Sequence, residues 1–181
     1  MSYPYPQLNP PSICWQKQET RSPKVSDWIQ AMAEQIDLTN IDISILGVPL
    51  SRSSISASGA SETPNALRQA WKYFQPYHIE HDVDLTALKV VDLGDVKQHF
   101  TNIPLSHQYI HDAMVSMRKY HSQSLPISLG GDHSITAMLV KGWKSAHPKQ
   151  RIGILQLDTH FDLRSLEDHG ATNGTPIRNL I

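Results

Sequence analysis

Two short stretches of this 181-residue chain carry side chains able to do chemistry together. GGDHS at 130–134 offers Asp132, His133 and Ser134 behind two glycines, and DTHFD at 158–162 offers Asp158, His160 and Asp162 at alternate positions. Carboxylate-rich sites with one or two imidazoles suit hard or borderline divalent ions such as Mn(II), with Zn(II) and Fe(II) as competitors. A carboxylate has two oxygens and can bridge two ions, so few ligands make a two-metal site feasible. Asp158, nearest the preceding apolar run, is the natural bridge. Alternate side chains of a strand stand roughly 6.5 to 7 Å apart, so the three converge only where the strand frays into a loop. Each stretch also has a plainer reading. GGDHS serves as a strand-to-helix turn with Ser134 or Asp132 as the cap, and acidic residues at a strand end are often simply solvated.

The elements that must position these groups can be read from periodicity. IDISILGVPL (41–50), LKVVDLGDV (88–96), LPISLGG (125–131) and RIGILQLD (151–158) are short apolar runs closed by Gly, Pro or Asp, the pattern of buried strands. Helices fall between them. One runs from Ser26 through Trp28, Ile29, Met32, Ala33 and Ile36. Another starts at Thr63 and Pro64, with Leu67, Ala70, Trp71 and Phe74 on its inner face. A third follows residue 104 with Leu105, Tyr109, Ala113, Met117 and Tyr120 as its stripe, and a fourth covers Ser134 to about Ala146. Strands alternating with helices predict βαβ units: a three-layer αβα fold with a mainly parallel sheet. In such sheets ligands collect at the carboxyl ends of the strands, where GVPLSRS, DLGDV, GGDHS and DTHFD all lie.

Composition narrows the classes. Sixteen basic and seventeen acidic residues leave a formal net charge of −1 without long runs of either sign, so no nucleic-acid or anionic-membrane partner is expected. The single cysteine, Cys14, excludes an intrachain disulfide framework and fits a reducing compartment. Neither a secretory signal nor an apolar run of the roughly 20 residues a spanning helix needs is present. The expectation is a cytoplasmic protein. Residues 1–25, with five prolines, predict an irregular arm, and 26–181 the α/β domain. The histidines outside the two stretches are expected to be mostly solvated.

On GGDHS, DTHFD, ILGVP with the loop leading to Arg68, and DLGD at 92–95, the chain resembles the ureohydrolase family, which includes arginase, agmatinase and formimidoylglutamase. The likeness covers residues 41–181, with Thr159 where the second motif usually has Ala. It implies an arginase-like fold and a binuclear Mn(II) site in which His133 and Asp162 bind one ion, His160 the other, and Asp158 bridges both. Two further aspartates, from a later Asp-x-Asp motif, complete the family's site. No such motif follows DTHFD before Ile181, so the chain is expected to be truncated relative to the family. In GATNGTPIR, Asn173 stands where arginase- and agmatinase-like proteins usually carry His. With DLRSLEDHG, this makes the chain most like formimidoylglutamase.

The resemblance implies hydrolysis of a linear amidine C–N bond, N-formimidoyl-L-glutamate to glutamate and formamide, by water activated between two cations. Asp162 is the candidate for proton relay. Asn173 and Arg178 are the candidates facing the small-molecule substrate, Arg178 because a planar guanidinium matches a carboxylate bidentately, with an outward loop Arg as its equal alternative. Arg164 can be read the same way or as an outward loop residue, and Asp132 as an orienting or turn residue. A homo-oligomer is compatible with the family. The alternatives are an agmatinase- or arginase-like guanidine hydrolase, or a non-catalytic remnant with a partial metal site. A nucleotide-binding domain lacks a Gly-x-Gly-x-x-Gly or Gly-Lys-Ser/Thr loop.

Overall fold

The computed structural model describes residues 5–16, 22–32 and 37–181, with the side chains at 168 and 169 excepted. In chain order the elements are β1 (Leu8–Asn9), α1 (Val25–Trp28), β2 (Gln30–Ala31), β3 (Ile43–Val48), α2 (Thr63–Ala70), β4 (Tyr77–His78), β5 (Val83–Asp84), β6 (Val90–Val96), α3 (Ile103–Tyr120), β7 (Leu125–Gly130), α4 (Ile135–Ala146) and α5 (Leu166–His169). The main sheet runs β1-β6-β3-β7, with β2 also on β6. β3 is parallel to β6 and β7, β2 is parallel to β6, and only β1 is antiparallel. β4 and β5 form a separate hairpin.

Alternation along β6 separates the layers. Val91 and Leu93 join Leu46 and Val48 of β3 and Ile110, Ala113, Met114 and Met117 of α3 in one core. Asp92, between Val91 and Leu93, faces the other way and meets Arg68 of α2, whose guanidinium is fully buried. Since successive strand residues point to opposite faces, α2 and α3 flank the sheet from opposite sides. The mainly parallel αβα architecture follows. α3 is started by Asn102, whose Oδ1 accepts from Leu105 N at 3.0 Å, with a proline in the first turn.

Several expectations need correction. The helix expected from Ser26 ends at Trp28. Ile29 is extended, and Gln30–Ala31 pairs with β6 instead; Ala33 and Ile36 lie outside the described residues. A parallel ladder to Val91 and Asp92 outweighed the helical period. The arm is partly ordered: Leu8–Asn9 is a strand on Val96 and Asp95, and Tyr5 and Leu8 enter the core. The inner face of α2 is not the expected one. Leu67 and Phe74 are exposed, while Pro64 and Arg68 are buried, because the Arg68 ion pairs turn that face to the sheet. Tyr120 of α3 is likewise exposed.

The largest departure concerns residues 151–158, expected as a strand. They join no ladder among the described residues, and Leu155 and Leu157 are 89% and 93% exposed. A strand apolar on both faces is stable only when a ladder and a layer on each face cover it. Here β7 ends the sheet.

Two glycines set the close approaches that the site needs. Gly131 has φ +82°, and a Cβ there would lie 2.3 Å from Val48 O, so only glycine fits both the backbone and the space. Asp132 N can then donate to Leu50 O at 2.6 Å. At Gly47 a Cβ would strike Asp95 Oδ1.

Candidate metal centre

The turn after β7 presents His133 at the entry to α4. Asp132 is buried and braces this turn from both oxygens: Oδ1 accepts from Ser134 N and Oδ2 from Ser53 N, each at 3.0 Å. That is the turn role weighed for it from sequence. His133 Nδ1 lies 3.0 Å from Thr136 Oγ1, one turn along α4, which sets the ring orientation and leaves Nε2 for a ligand.

Residues 158–162 leave the extended path, as convergence requires. Asp158 Oδ1 accepts from His160 N at 2.8 Å, an Asx-type turn. Asp162 has φ +52°, in the left-handed region that Asp adopts more readily than most residues. The two carboxylates thereby reach the same imidazole. His133 Nε2 is 3.2 Å from Asp162 Oδ2 and 3.7 Å from Asp158 Oδ2, and one donor atom from each of the three lies within 4.8 Å of the others. Gln156 Nε2 donates to Asp162 Oδ2 at 2.8 Å and to His160 O at 3.1 Å, which holds Asp162 in place.

His133 Nε2 is buried and has no hydrogen-bond partner; its 3.2 Å approach to Asp162 is close but not aligned as a hydrogen bond. An orphaned imidazole nitrogen facing two carboxylates is what a divalent cation would satisfy, and this nitrogen-and-oxygen donor set fits Mn(II) or a similar borderline ion. The His160 backbone N–H is the main cause holding the Asp158 carboxyl below its ordinary value, with His133 and His160 also favouring the charged form. Asp158 is thus kept ready to bind a cation.

His160 is placed differently. Its side chain is 80% exposed, with Nδ1 3.4 Å from Asp158 Oδ1 and 3.2 Å from Thr159 Oγ1. It borders Asp158 without joining the three-residue cluster. Asn173 lines a cavity of about 660 Å³ together with His160, Asp162 and Arg164. Its Oδ1 accepts from Ile55 N and its backbone N donates to Ser53 O, both at 3.0 Å, stitching the 51–56 loop to the 170–174 loop. With one lone pair of its carbonyl so engaged, Asn173 keeps both Nδ2 donors to offer a ligand.

Arg178 has the outward-loop placement weighed for it from sequence. It is exposed, donates from Nε to Leu163 O at 3.3 Å and is not part of the cavity wall, whereas Arg164 is. A loop carbonyl captured the guanidinium. Sequence reasoning also passed over His107 of α3, which is buried between Ser53 and Ser134. Its partners are 54 and 27 residues away, so no local spacing signals them. Among the described residues, no helix is long and apolar enough to cross a membrane.

Comparison with known proteins agrees with this picture. The Arginase family model matches residues 41–181. A formimidoylglutamase from Halalkalibacterium halodurans is 46% identical over 137 residues, covering 76% of this chain and 42% of that protein. The crystal structure of formimidoylglutamase from Bacillus subtilis superposes with a TM-score of 0.79 at 36% identity, covering 98% of this chain and 53% of the other. A Trypanosoma cruzi formiminoglutamase crystallised with Mn2+ shares the fold, with a TM-score of 0.74 at 24% identity, covering 88% of this chain and 52% of the other. The chain spans under half the length of the curated relatives it matches. With its GGDHS and DTHFD turns meeting at one imidazole on an arginase-like sheet, the chain belongs to the Arginase family.

Proposed function

We propose that this chain carries the first half of a Mn(II)-dependent hydrolase acting on the amidine C–N bond of N-formimidoyl-L-glutamate. The observation that carries the metal part is the orphaned His133 Nε2 beside Asp158 and Asp162. The substrate part rests on formimidoylglutamase relatives at 46% and 42% identity, with Asn173 as a neutral hydrogen-bonding residue in the adjoining cavity. Bound divalent ions supply Lewis acidity that makes hydroxide available near neutral pH.

The chain's own residues do the rest of the positioning. His133, Asp158 and Asp162 hold the cation, Gln156 keeps Asp162 turned inward, and Thr136 sets the imidazole. Asn173 donates from Nδ2 to a substrate acceptor, while its carbonyl accepts from Ile55 N. Asp162, which lines the cavity, is the group placed to take a proton from the attacking water and pass it to the leaving nitrogen as the C–N bond breaks. His160, with its exposed ring beside Asp158, is assigned to the second ion.

The test is a comparison of N-formimidoyl-L-glutamate, agmatine and arginine with added Mn(II). Formamide release from the first should exceed urea release from the other two, and a preference for either guanidine overturns the substrate assignment. A second reading is favoured by the exposure of His160 and the unpaired 151–158 segment: the chain by itself binds one ion without turnover. Calorimetric titration separates the two, because two tight Mn(II) ions per chain would exclude that reading.

A further inference from the structure

Apart from the metal centre, a cavity of about 530 Å³ opens between α3, α4 and the loops at 52–54 and 170–172. Among the described residues its ionisable wall is one-sided: Arg52, His107, His111 and Lys141, with no carboxylate. Arg52 is exposed and makes no ion pair or hydrogen bond among the described residues. Lys141 Nζ is engaged by the neutral Asn179 side chain. Asp112 lies behind the wall, 2.8 Å from both Gln108 Nε2 and His111 Nδ1. On the same two helices, Ile103, Pro104 and Met138 add an apolar surface to the wall.

The floor is built rather than incidental. His107 is 6% exposed, with Nε2 2.9 Å from Ser134 Oγ and 3.3 Å from Ser53 Oγ. Its Nδ1 has no partner among the described residues. In the tautomer where a serine hydroxyl donates to Nε2, the proton sits on Nδ1 and that nitrogen is a donor for whatever fills the cavity.

We propose that this cavity binds a small organic carboxylate, with Arg52 as its charged partner and the Ile103, Pro104 and Met138 wall taking an aliphatic stem. A guanidinium pairs bidentately with a carboxylate. The apolar wall favours an organic acid over an inorganic anion, which has no stem to bury. The volume lies in the range of small-molecule sites. The cavity also shares a wall with the metal-bearing turn, because Ser53 N is bonded to Asp132 beside His133. The acid is either the far end of the metal centre's own substrate or a separate effector; the chemistry is the same. The site stands on its own residues and does not depend on the hydrolysis proposed above.

The experiment is an NMR titration of the isotope-labelled chain with glutarate, read at the His107 imidazole and the Arg52 side chain. The expected result is a saturable shift, weakened at least about tenfold in Arg52→Gln, as loss of one charge-assisted contact implies. Inorganic phosphate should bind more weakly than glutarate. The proposal is overturned by a shift that does not saturate, by an unchanged titration in Arg52→Gln, or by phosphate matching glutarate. Repeating the titration with Mn(II) present assigns the source. Glutarate affinity that rises with Mn(II) identifies one continuous substrate site, and affinity unchanged by Mn(II) identifies a separate effector; glutarate binding supports the proposal in both cases.

Discussion

An imidazole nitrogen shut away from water, with two carboxylates at its edge and no hydrogen bond, costs free energy in the metal-free chain. His133 Nε2 is in that position, and the cation that relieves it should bind through Asp158 and Asp162. Partners one bond removed from a metal typically change its affinity by about 10- to 100-fold. Gln156→Leu, which frees Asp162 Oδ2, is therefore expected to weaken Mn(II) binding about tenfold. Asp162→Asn should weaken it by about 100-fold or more, while Arg178→Gln, outside the cavity wall, should leave it unchanged. Calorimetric titration with Mn(II) checks all three. The convergence of His133, Asp158 and Asp162 was legible from residue type and spacing. The outward ring of His160 and the carbonyl-bound Arg178 were not, because rotamers answer to neighbours that spacing does not reveal.

At the scale of elements, α2 is held to the sheet by one buried side chain. Arg68 donates from Nε and Nη2 to Asp92 at 2.7 and 2.9 Å, and from Nη1 to Asp95 at 2.8 and 2.9 Å. Burial works against the charged guanidinium, yet the two carboxylates keep its pKa above the ordinary value. Removing one partner of a buried ion pair strands the other. Arg68→Leu is expected to cost about 3–5 kcal/mol, read as a lowered urea midpoint with little change in slope. The Thr63-Pro64 start made α2 legible in sequence, but its apolar stripe suggested the wrong face. An ion pair to the end of β6 outweighs Leu67 and Phe74, and a pairing across 24 residues leaves no periodic trace. The four-residue α1 is a similar case, since the ladder that β2 makes with β6 is a tertiary choice.

Across the whole molecule, the sheet stops at β7, and Leu155 and Leu157 stand in solvent. Contiguous exposed apolar residues promote association. Leu155→Lys with Leu157→Lys should leave the unfolding free energy within about 0.5 kcal/mol of the parent, while reducing light scattering at high concentration. A large loss of stability would show instead that these side chains are packed in solution. Global stability should also depend on pH. Burial is the main cause lowering the pKa of both His107 and His121, helped at His121 by Arg118. The folded chain then binds fewer protons than the unfolded one, so stability is full above the unfolded value of about 6.5 and falls as pH drops below it. Urea midpoints at pH 7.5 and 5.5 should show that loss, and His121→Gln should reduce it.

By itself the sequence determined the parallel strands β3, β6 and β7, the helices α3 and α4, and the residues that converge at His133. Each of these rests on local period, turn chemistry or residue type, which a linear chain carries openly. Tertiary structure alone decided that Leu8 joins the sheet, that Arg68 faces inward, that His107 closes a second cavity, and that residues 151–158 form no strand. Those outcomes depend on which distant groups meet, and on whether a buried surface is covered on both sides.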